Sequence, residues 1–72
     1  MVHHDPEPML LRARAAKNAI EEQHFNRSVH DREIFAKLPW IEQPAFMRDR
    51  LDKEALGYWS MGFAACGLRP HG

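Results

Sequence analysis

The sequence predicts an all-α fold, and three observations carry that expectation. The chain has 72 residues, no threonine, and only five β-branched positions: Val2, Ile20, Val29, Ile34 and Ile41. Apolar and polar residues nowhere alternate long enough for a strand, and no Asn-Gly or Asp-Gly pair marks a hairpin. Alanine, leucine, methionine, glutamate, arginine and lysine dominate instead, and these side chains lose little freedom on entering a helix. The expected architecture is a small two- or three-helix domain over residues 6–68, completed by dimerisation. A lead at 1–5 and a loose tail at 69–72 flank it.

A first helix is expected over residues 6–25. Asp5 can cap it, Pro6 suits the first turn where no N–H partner is needed, and Glu7 complements the helix dipole. Met9, Ala13, Ala16 and Ile20 share one face at helical spacing, with Leu11 and Phe25 nearly opposite. Ser28 followed by Asp31 resembles a capping arrangement and opens a second helix over 29–38, with Ile34, Phe35 and Leu38 facing inward; the rival reading is one bent helix over 6–38. Pro39 ends it, because the residue before proline is pushed out of the helical region. Trp40 and Ile41 then plug the end of the core. Pro44 opens a third helix over 44–66, and Gly67 with Leu68 matches a left-handed C-terminal cap.

That third helix is divided in two. Residues 48–54 read Arg-Asp-Arg-Leu-Asp-Lys-Glu, and Arg48 with Asp52, Asp49 with Lys53 and Arg50 with Glu54 are each four apart, the spacing of ion pairs on one helix. Residues 55–66 carry no charge. A helix apolar all round must be covered all round, and two short helices are thin cover for Leu56, Tyr58, Trp59, Met61 and Phe63 together. These five are the expected partner-binding residues, with Arg48, Arg50 and Lys53 as the rim, since aromatics and methionine are enriched where proteins associate. Gly57 and Gly62 each cost about 1 kcal/mol against alanine inside a helix. Their presence points to close approach of another backbone or to bending, and Gly62 with Cys66 would admit another helix.

Other function classes find less support. Lysine plus arginine and aspartate plus glutamate both number 10, so formal net charge is zero and no electrostatic grip on nucleic acid or anionic lipid is expected. Arg12, Arg14 and Lys17 crowd one helix and keep a ribosome- or nucleic-acid-associated factor as the alternative reading. The uncharged run from Ala55 to Leu68 is shorter than the ~20 residues of a membrane span. His3, His4, Asp5 and Pro6 stand where a secretory leader would be basic and then apolar, so no leader is expected. One cysteine excludes an internal disulfide and fits a reducing, cytoplasmic setting.

His24, His30, Cys66 and His71 lack metal-ligand spacing, and Met1-Val2-His3 offers at most an incidental copper or nickel site, so no metal or cofactor is expected. Ser60 lacks the glycine two positions earlier that a nucleophile elbow needs, and adjacent Glu21 and Glu22 point to different sides. No catalysis is expected.

Trp59, Gly62 and Phe63, preceded by Pro44, resemble the tryptophan–x–x–glycine–aromatic ending of ribosome modulation factor over about twenty residues. That family is strongly basic whereas this chain is neutral, and the N-terminal half has no match, so the resemblance implies no function here. The expectation is a small regulatory adaptor or inhibitor of bacterial or phage type, homodimeric, whose partner is a protein such as a transcription regulator or other host machinery.

Overall fold

The computed structural model describes residues 7–67, and within them every regular element is helical. The elements are α1 (Glu7–Arg27), α2 (Val29–Lys37), a 3-10 turn (Trp40–Glu42), α3 (Gln43–Arg48) and α4 (Lys53–Gly67). The all-α expectation holds, but four α-helices replace the expected two or three. The expected lead at 1–5, the tail at 69–72, and the contribution of Leu68 lie outside the described residues.

The first break is where the sequence places it. Ser28 is extended, and its hydroxyl accepts the Asp31 backbone N–H at 3.3 Å, satisfying a donor that α2 leaves open in its first turn. Leu38 is extended too, as Pro39 requires, and α2 stops there. Phe35 is buried while Ile34 and Leu38 pack against the core from its edge.

The single helix expected over 44–66 is corrected to two. The Arg50 and Leu51 N–H groups both donate to the Met47 carbonyl, at 3.0 and 2.8 Å, and this tight turn ends α3. Asp52 then restarts the helix. Its carboxylate accepts the Ala55 N–H at 2.8 Å and its carbonyl accepts the Leu56 N–H at 2.8 Å, the two bonds of an N-cap. Leu51 and Leu56 occupy the hydrophobic positions that flank such a cap, and both pack on the core. The three ion pairs expected four apart along 48–54 therefore do not form, because no continuous helix aligns them. Arg50 reaches Asp31 on α2 instead, at 3.2 Å.

α1 and α4 form the frame. Gly62 lies against Ala13 and Lys17, and Trp59 against Glu21, so positions rise along one helix as they fall along the other: the pair is antiparallel. α2 and α3 close one side of this pair over Phe25, Phe35, Phe46, Met47 and Trp59. Phe25 and Phe35 are 5.1 Å apart between ring centroids and Phe35 and Phe46 are 5.8 Å apart, within the range where tilted rings attract.

Three further expectations change. Ile41 is 81% exposed and plugs nothing, while Trp40 is half exposed and stacks on Phe63 at 4.1 Å. Gly67 has no positive φ; a Cβ there would meet the Trp40 ring at 3.1 Å, so this glycine makes room for the indole rather than forming a left-handed cap. Met9 is exposed, and the face of α1 that meets α4 carries Lys17 among its small and apolar residues.

The two interior glycines of α4 now separate by their surroundings. A Cβ on Gly62 would fall inside the contact limits of the Ala13 carbonyl oxygen and of Lys17 Cβ, whereas one on Gly57 would meet nothing within 4 Å. Gly62→Ala should destabilise the chain by about 1–3 kcal/mol through overpacking. Gly57→Ala should stabilise it by about 0.5–1 kcal/mol through helix propensity. Urea denaturation of both variants checks the opposite signs.

Candidate functional site

Trp59 is the first of the expected partner-binding residues to be placed, and it is corrected. It is fully buried at 0% exposure, sealed by its own chain. Its indole N–H donates to a Glu21 carboxylate oxygen at 2.7 Å, and that same oxygen holds the Lys17 ammonium at 2.6 Å. The ammonium also stands 5.8 Å from the Trp59 ring centroid, within reach of its negative face. Lys17, at 9% exposure, is buried for the same reason: the close approach at Gly62 draws its stem into the α1–α4 seam. One carboxylate thus satisfies two buried donors from two helices. Nothing in the sequence distinguishes Lys17 from a solvated lysine, although its spacing of four from Glu21 is that of an ion pair.

A second polar cluster ties α1, α2 and the α3–α4 turn together. Asp31 accepts from His24 Nε2 at 2.8 Å and from Arg50 Nε at 3.2 Å. The Arg50 guanidinium lies 3.5 Å over the Phe46 ring and also donates to the Phe46 carbonyl at 3.2 Å. The His24 hydrogen bond, aided by Arg50, holds the Asp31 carboxyl below the usual carboxylate value against the opposing pull of desolvation. A polar cleft of about 300 Å³ opens beside this cluster, with Gln23, His24, Arg27 and Asp52 among its walls. The His24–Asp31 pair braces α1 against α2.

The remaining expected residues divide between the two sides of α4. Leu56 and Phe63 are half-buried and face the core, and Phe63 also stacks on Trp59 at 5.0 Å between centroids. Tyr58 and Met61 stay exposed, at 56% and 62%. At ~100° per residue they lie ~140–160° round the helix from Leu56 and Phe63, away from α2 and α3. On α1, Met9 is exposed and lies a similar angle from buried Phe25. Since α1 and α4 bury Phe25, Leu56 and Phe63 in one core, their opposite faces form one bare side.

On that side α4 carries a shallow groove of about 340 Å³ lined by Lys53, Glu54, Gly57, Tyr58 and Met61. Glu54, Gly57, Tyr58 and Met61 stand at positions i, i+3, i+4 and i+7, the four corners of a hole that accepts one side chain from a facing helix. Gly57 leaves its floor open. Of the expected rim, only Lys53 borders this groove. Arg48 is exposed elsewhere, and Arg50 is drawn to Asp31 on the other side of the molecule.

No three His, Cys, Asp or Glu side chains converge among the described residues, and no described helix is long and apolar enough to cross a membrane. No protein-family model, curated protein or solved structure matches this chain.

Two measurements check the polar clusters. Glu21→Ala, which orphans the Lys17 ammonium and the Trp59 N–H together, should cost about 2–4 kcal/mol in chemical denaturation, and Glu21→Gln less because its amide oxygen still accepts. Asp31 has a lowered carboxyl pKa, so its stabilisation is complete above the ordinary carboxylate range and is lost as pH falls through the lowered folded value. Denaturation midpoints taken from neutral to strongly acid pH should therefore fall less steeply in Asp31→Asn than in the native chain.

Proposed function

We propose that this chain is a non-enzymatic protein-interaction module that receives a helix of a partner protein on the bare side of the α1–α4 pair. The observation that carries the reading is the four-cornered hole on α4, with Tyr58 and Met61 exposed around an open glycine while the other large residues of that helix are turned into the core. Tyr58 and Met61 are the anchors, Gly57 is the floor against which a partner's side chain packs, and Lys53 with Glu54 closes one end. Aromatic anchors dominate the energetics of such contacts, and methionine adapts its shape to what it meets. A module acting by occupancy would serve its partner as an adaptor or an inhibitor.

The nucleic-acid alternative is weakened by the position of Lys17. Its ammonium is bound to Glu21 inside the helix seam, so of the basic trio only Arg12 and Arg14 remain for phosphate. Two arginines on a chain of zero net charge are a small electrostatic footprint.

A photoreactive side chain at position 61 tests the reading, with one at Arg48 as the control. Position 61 should trap a discrete species in cells that make the protein, and Tyr58→Glu should cut its yield at least ~10-fold with helicity unchanged, as loss of an interface anchor does. Equal trapping from position 48, or trapping indifferent to Tyr58→Glu, would overturn it.

A further inference from the structure

We infer that the helix received in the α4 groove is α4 of a second copy, running antiparallel, so that Met61 of each copy enters the hole of the other. This rests on the reading of the bare side as a docking face, and goes further by naming the occupant.

Two features of the groove favour a second copy. The first is self-complementarity. Gly57 leaves a vacancy and Met61, one turn later, is a flexible projecting side chain. Two antiparallel copies related by a two-fold axis set each Met61 into the other's vacancy, and Tyr58 of each then lies beside Met61 of its partner. A heterologous helix would need only a knob, and the projecting Met61 would be left to find its own hole.

The second feature is charge. The charged residues lining the groove are Lys53 and Glu54, both in the first turn of α4. A parallel pair would stack lysine on lysine and glutamate on glutamate. The antiparallel pair instead carries them over the uncharged last turns of the other helix, away from their like-charged counterparts. With zero net charge on the chain, no long-range repulsion keeps copies apart.

Each copy is already filled, with Met47 and Trp59 fully buried within one chain. The second copy therefore adds to a finished fold rather than completing it, and the association is reversible. α4 has 15 residues and is about 22 Å long, so with α1 beside it the bare side offers about 400 Å² per copy. About 800 Å² in all is below the size of stable interfaces and belongs to transient ones, with dissociation in the range of about 10–500 µM.

Sedimentation equilibrium across about 5 µM to 1 mM tests this directly, spanning the expected dissociation range. The mass of the native chain should climb from 8.4 kDa toward twice that value with concentration. Met61→Glu should weaken association at least ~10-fold with its circular dichroism unchanged, because the side chain replaced is exposed. In a Cys66→Ser background, a Gly57→Cys chain mixed with a Met61→Cys chain should form a mixed disulfide faster than either forms one with itself. A mass fixed at 8.4 kDa throughout, association indifferent to Met61→Glu, or equal disulfide rates would each overturn the second copy as occupant. If position 61 still traps a different protein after such a result, the docking face stands and only its occupant was misassigned. If nothing is trapped either, both readings fail.

Discussion

The structure depends on one close approach. At Gly62 the backbone of α4 comes against the Ala13 carbonyl, with no side chain between the helices. That proximity lets α1 swallow Trp59, the largest side chain on α4, and it also pulls Lys17 out of water. Burying an ammonium and an indole N–H without partners would cost more than the burial of the ring returns. Glu21 resolves both through one carboxylate oxygen, four residues from Lys17 and 2.7 Å from the indole nitrogen. The seam is otherwise built of small and apolar residues and is oriented by this single polar node, which fixes the axial register of α4 on α1.

The second requirement is the break after α3. Were residues 44–66 one straight helix, Phe46 and Trp59 would stand about 20 Å apart along its axis and could not share a core. The turn at Met47 and the restart at Asp52 fold α3 back, so that Phe46 and Met47 meet Phe35 and Trp59. The same turn delivers Arg50 to Asp31, and the carboxylate then links α1, α2 and the turn. Charges that four-residue spacing assigns to the surface of one helix are spent on closing a corner between three.

What was legible in the sequence follows from how local each signal is. Ser28 with Asp31 and the stop at Pro39 act within one turn, and the structure places both as the residues imply. The break at 49–52 was hidden because paired opposite charges support a continuous helix as well as they decorate a turn. The signal was nonetheless present, as Asp52 flanked by Leu51 and Leu56 is a capped helix start. Lys17 could not be placed from sequence at all. Its burial depends on a glycine 45 positions away, and a lysine on a helix is otherwise solvated.

The apolar residues of α4 are divided between two sides of the helix, one buried and one exposed. Trp59, Phe63 and Leu56 are consumed by the core, where the sequence argument for exposed anchors fails because Gly62 lets α4 approach α1 closely and Glu21 of α1 supplies a matching carboxylate. Tyr58 and Met61 are left over for a geometric reason: they lie ~140–160° round the helix from Leu56 and Phe63, which face the core. Substitution on the bare side therefore leaves the Glu21 node and the aromatic core untouched, whereas substitution at Gly62 or Glu21 acts on the fold itself. The residues that hold the fold and the apolar residues left exposed are thus separate sets on one short helix, so a change in one set leaves the contacts of the other in place.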